Sequence, residues 1–135
     1  LYMSYSNFVD SGKFEIYAGV NHEKVSQAIR AIRDELKRVQ TTEVEEKELA
    51  KAKEQLRGRY IMGLEGNAAM ADLLGSQLLL TGRIHSLAET LAEIDAVTPS
   101  AVLAAAHRYL QMDDLRLAII GPYDDKDKFE KLMEE

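Results

Sequence analysis

The sequence predicts an α+β domain, with an antiparallel-containing sheet backed by helices and incomplete within these residues. Three observations predict it. Two short alternating runs separated by turn residues open the chain. Long stretches with apolar residues three and four apart fill its middle, and a compact apolar run, Leu115 to Ile120, comes near its end. The order is roughly ββααααβα. Three strands make a thin sheet, and Leu115–Ile120 calls for neighbours on both sides, so strands outside this chain are expected to complete it.

Each element has a local reason. Leu1 to Phe8 is rich in Tyr and Ser and reads as a strand with a polar face. Asp10-Ser11-Gly12 supplies turn chemistry, because Asp and Ser bond the backbone locally and Gly accepts positive φ. Phe14, Ile16 and Ala18 then alternate with Glu15 and Tyr17, a half-buried strand that closes a β-hairpin. Asn21 is a candidate N-cap for a helix with Val25, Ala28, Ile29, Ile32, Leu36 and Val39 on one face and Arg30, Arg33, Asp34, Lys37 and Arg38 largely off it. Thr42-Glu43-Val44-Glu45 matches a capping box and starts a second helix through Leu49, Ala52, Leu56, Tyr60 and Leu64.

Gly58, Gly63 and Gly66 weaken that helix, so a break is expected between Gly63 and Asn67, with close helix packing as the plain reading of the glycines. A third helix, Ala68 to Thr81, ends at Gly82, which sits where a C-terminal cap belongs. Ser86-Leu87-Ala88-Glu89 is another capping box, and Thr98-Pro99 pairs an N-cap with Pro at the first helical position. The helix after Pro99 points Val102, Ala105, Ala106 and Tyr109 inward. Leu115–Ile120 is read as a buried strand, and Asp125 to Met133 as a terminal helix.

Composition bounds the function. In 135 residues, 46% are apolar and 30% charged, which describes a folded globular chain. The net charge of −6 comes with no Lys/Arg cluster free of interleaved acids, so nucleic acid is not an expected partner. No apolar stretch approaches the roughly 20 residues of a bilayer span. The absence of cysteine removes disulfides, thiolate zinc sites, Fe–S clusters and a Cys nucleophile together, and fits cytoplasm or mitochondrial matrix equally. Leu1 already lies inside a strand-like run, so residues 1–135 are expected to be a single partial domain of something longer.

The chemistry-bearing residues are sparse. His22, His85 and His107 are too far apart for a local metal motif, and neither H-E-x-x-H nor H-x-x-E-H occurs. His22 reads as a solvated first-turn residue, His85 as loop, and His107 as surface beside Arg108. No G-x-S-x-G and no phosphate loop appears. The run Glu43 to Lys53 alternates in sign and reads as a solvated face with pairs such as Glu43–Lys47. Tyr2, Tyr5 and Phe8 are the candidates for substrate binding, since aromatic and hydroxyl groups suit an extended peptide. The plainer reading has them packing against strands outside the chain. No catalytic and no metal-ligating residue is assigned.

The ordered pieces carry a resemblance. Ser6-Asn7-Phe8-Val9-Asp10-Ser11-Gly12, followed by Phe14-Glu15-Ile16-Tyr17-Ala18-Gly19, resembles the hairpin in the C-terminal domain of pitrilysin/insulinase-type zinc peptidases, especially the mitochondrial-processing-peptidase-like bacterial members. Glu48 to Leu56, Gln77 to Arg83, Ile94 to Thr98 and Leu117 to Pro122 recur in the same order. The resemblance implies that a separate N-terminal domain carries H-x-x-E-H plus a distant Glu, so zinc is bound in the parent enzyme and not here. It implies that the C-terminal domain is catalytically silent and forms the facing wall of a chamber that encloses unfolded peptide.

This chain departs from the pattern in lacking the zinc motif and the substrate-contacting Arg. The corresponding Tyr falls just before Leu1, leaving Tyr2 as a stand-in. The implied function is the silent part of a zinc metalloendopeptidase; the alternative is the equivalent part of an inactive scaffold or peptide-presenting subunit. An unrelated peptide-binding module is the third reading. Implied partners are the N-terminal half of the parent chain, unfolded peptide, and a second subunit in a homodimer or heterodimer. An unpaired strand at the start is expected, and exposure of Leu1–Phe8 would argue against the peptidase readings.

Overall fold

The computed structural model describes residues 1–134. Strands β1 (Tyr2–Asn7) and β2 (Gly12–Tyr17) pair antiparallel, with Tyr2 opposite Tyr17, Met3 opposite Ile16 and Tyr5 opposite Phe14. The turn is closed locally: the Phe8 N–H donates to the Ser11 carbonyl at 2.8 Å, and the Ser11 hydroxyl donates to the Asp10 carboxylate at 3.2 Å. Because side chains alternate across a strand, Met3, Tyr5, Phe14 and Ile16 share one face. Tyr2, Ser4, Lys13, Glu15 and Tyr17 share the other, where Tyr2 and Tyr17 stack with centroids 5.0 Å apart and Lys13 pairs with Glu15 at 2.7 Å.

Six helices follow among the described residues: α1 (Val25–Thr41), α2 (Glu46–Gly63), α3 (Asn67–Thr81), α4 (Leu87–Ala96), α5 (Pro99–Tyr109) and α6 (Lys126–Glu134). The local signals hold at most boundaries. The Asn21 side chain accepts from the Glu23 N–H at 3.0 Å and opens a single 3₁₀ turn that leads into α1. The chain breaks between Gly63 and Asn67, and Gly82 closes α3 at φ 70°, the left-handed conformation that glycine adopts without a Cβ clash. Ser86 and Glu89 form both halves of their capping box, and the Thr98 hydroxyl accepts from the Ala101 N–H at 3.2 Å.

The chain divides into two compact units, one of residues 1–42 with the stretch from Ala105 onward, the other of Glu43–Ala104. In the first, Val25 and Ile29 of α1 bury against Leu132 of α6, and Ile119, Tyr123, Phe129 and Met133 pack on that cluster. The Tyr123 and Phe129 rings meet edge to face at 5.1 Å. The Arg33 guanidinium, one α-turn beyond Ile29, donates to the Met133 carbonyl, and the Gln40 amide donates to the Leu110 carbonyl. In the second unit α2 lies on α4. Leu49 is buried there, the Lys53 ammonium donates to the Asp95 carbonyl at 2.8 Å, and Arg57 pairs with the Asp95 carboxylate at 2.5 Å.

Several expectations are corrected. Leu115–Ile120 is not a strand among the described residues: the only sheet is the two-stranded hairpin, Ile120 is fully exposed, and only Ile119 of this run joins the core. Without a neighbouring strand to exchange backbone hydrogen bonds, an apolar run has nothing to fix it as sheet. Arg33 is not off the buried face but 7% exposed, because position 33 continues the stripe of Val25 and Ile29 at spacings of four. The Thr42 capping box does not form. The Thr42 N–H instead closes α1 on the Arg38 carbonyl at 2.9 Å, and α2 starts after Glu45.

Glu43 therefore precedes α2, and the expected i,i+4 geometry with Lys47 is absent. A Cβ placed on Gly58, Gly63 or Gly66 would meet nothing within 4 Å, so these glycines are not sites of close packing. Tyr109 and Ala105 are exposed, leaving Ala106 as the buried residue of α5. The hairpin is also less covered than a half-buried strand: Phe14 and Tyr17 are exposed, and of Gly12–Tyr17 only Ile16 is half-buried. Leu1, Tyr2, Met3, Tyr5 and Phe8 are exposed as well, the condition named above as adverse to the peptidase readings.

Replacing Arg33 by Met keeps the buried stem and removes the donor to α6. We expect a loss of about 1.5–3 kcal/mol, the usual worth of a hydrogen bond from a charged group, read by denaturant unfolding with amide exchange locating the weakening in α6. Ser86→Ala should cost about 1 kcal/mol through loss of the α4 cap, and an unchanged unfolding midpoint would show that the cap contributes nothing.

Candidate functional site

A concavity lies in the first unit, an open cleft of about 860 Å³ between Arg33 of α1, the segment Met112–Ile119, and α6. Its apolar lining includes Leu115, Leu117, Ile119, Tyr123, Phe129 and Met133. Asp113, Asp124, Asp125, Glu130 and Glu134 also line it. Arg33, Arg116 and Lys126 supply the cations: Arg33 is tied to the Met133 carbonyl, Arg116 donates to the carbonyls of Asp113 and Leu115, and Lys126 pairs with Glu130 at 2.7 Å. That last contact raises the Lys126 pKa, through the hydrogen bond first and the charge second.

Tyr2, Tyr5 and Phe8 do not converge. Tyr2 and Tyr5 lie on opposite faces of the hairpin, Tyr2 against Tyr17 and Tyr5 opposite Phe14, while Phe8 sits in the turn beyond β1. The histidines do not converge either. His22 is exposed in the 3₁₀ turn and its carbonyl accepts from the Tyr123 hydroxyl at 3.4 Å. His85 lies between α3 and α4, where its N–H donates to the Gln77 side-chain oxygen at 2.9 Å and its Nδ1 is 3.6 Å from Glu93. His107 is exposed on α5.

Among the described residues no three His, Cys, Asp or Glu side chains gather where they could hold a metal ion. These residues do not fit a zinc site, whose closed or catalytic forms need at least three converging ligands. The feature sequence reasoning passed over is the buried Arg33 beside the cleft. Its signal was present: Val25, Ile29 and Arg33 fall on one line of the helix, so the apolar stripe carries a cation at its third place.

Comparison with known proteins then identifies the class. Residues 1–56 match the family model for the peptidase M16 inactive domain. Over 126 residues, 93% of this chain, the sequence is 35% identical to an uncharacterized zinc protease of Streptomyces coelicolor, covering 27% of that protein. It is 30% identical over the same share to a probable mitochondrial-processing peptidase subunit beta of Arabidopsis thaliana, covering 24% of it. A zinc protease of Bacillus subtilis is 31% identical over 90% of this chain and 30% of its own length. These matches support a C-terminal fragment of an M16 peptidase, the pitrilysin/insulinase type. The chain spans about a quarter of the length of these relatives. The exposure of Leu1, Tyr2, Met3, Tyr5 and Phe8 does not overturn this, since these residues lie inside the family match.

The second unit yields a pH test at the start of α4. The Glu89 pKa is lowered, first by the hydrogen bond from the Ser86 backbone N–H, then by the Ser86 hydroxyl, with Arg83 adding to both. A depressed carboxylate stabilises the fold above its unfolded pKa, about 4.3 for glutamate, and that contribution is lost as pH falls through the lower folded value. Protection of the Ser86 amide, its exchange rate relative to the intrinsic one, should therefore fall below about pH 4.3, and Glu89→Gln should flatten this dependence. An exchange rate that follows only intrinsic pH chemistry in both proteins would refute the assignment.

Proposed function

We propose that this chain is the catalytically silent part of a zinc-dependent endopeptidase. In this reading it forms the wall of a substrate chamber opposite the zinc-bearing domain, and the parent enzyme encloses and cleaves unfolded peptides. One observation carries the reading: similarity to zinc proteases runs through nine-tenths of the chain, and its first part matches an inactive domain of the same family. Zinc is then held by the N-terminal half of the parent chain, which is also this chain's first partner. Tyr2 remains the substrate-contact candidate, because it carries the hydroxyl nearest the expected position. No described helix is long and apolar enough to cross a membrane; cytoplasm and mitochondrial matrix fit this reading equally.

A second reading has one observation in its favour. Relatives in Arabidopsis thaliana and in Saccharomyces cerevisiae are named as a beta subunit of a processing peptidase, a name that denotes an assembly of unlike chains. On this reading the chain belongs to an inactive scaffold or peptide-presenting subunit within a heterodimer.

The parent protein, purified whole, separates the two. If it is the peptidase, it cleaves an unfolded peptide such as reduced, denatured casein, loses that activity to a chelator, and regains it with zinc. Residues 1–135 alone then show no cleavage with or without zinc. A parent that never cleaves and carries no H-x-x-E-H selects the scaffold reading, whereas zinc-dependent cleavage by residues 1–135 alone would overturn both.

A further inference from the structure

We draw no further inference here: the strongest candidate, the surface of α3 and the loop after it, where Leu78, Leu79, Leu80 and Ile84 stand exposed on a helix whose one charged side chain is Asp72, is an unpartnered apolar face, and nothing in the structure shows what covers it.

Discussion

A helix that ends against its neighbours leaves its last carbonyls without intrahelical donors, and the packing of this chain depends on how those carbonyls are met. Arg33 of α1 reaches the Met133 carbonyl in the last turn of α6, and Gln40 of α1 reaches the Leu110 carbonyl just past α5. In the other unit Lys53 of α2 donates to the Asp95 carbonyl at the end of α4. Two of these donors are cations, which the negative end of a helix dipole favours further. In the first unit they act beside the apolar cluster of Val25, Ile29 and Leu132 with Ile119, Tyr123, Phe129 and Met133 packed on it.

The same observation explains the form of the candidate site. The cleft in the first unit exists because α1 and α6 are held together at Arg33 while the segment Met112–Ile119 passes beside them without pairing into a sheet. Its walls are apolar residues and carboxylates, with their cations engaged by carbonyls or Glu130. Among the described residues, no three metal-ligating side chains gather there or elsewhere.

Much of the local structure was legible. The boundaries at Asn21, Ser86 and Thr98 followed from side chains that bond their own nearby backbone, and the one at Gly82 from a left-handed φ open to glycine; such local features form whatever lies beyond. Thr42 shows the limit of that logic. Its sequence fits a cap as well as Ser86 does, but its N–H was already committed to the end of α1. The candidate site was less legible. Tyr2 and Tyr5 are near in sequence, yet a separation of three in a strand sends them to opposite faces.

The sequence by itself determined the helices, the hairpin, the absence of a local metal motif and the family, because each rests on residues close along the chain or on their order. Tertiary structure alone decided that Arg33 finds the Met133 carbonyl, that Arg57 and Lys53 serve the end of α4, and that Leu115–Ile120 stays outside the sheet. Those outcomes depend on partners distant in sequence: a guanidinium is buried only where a carbonyl waits for it, and an apolar run becomes a strand only beside another strand.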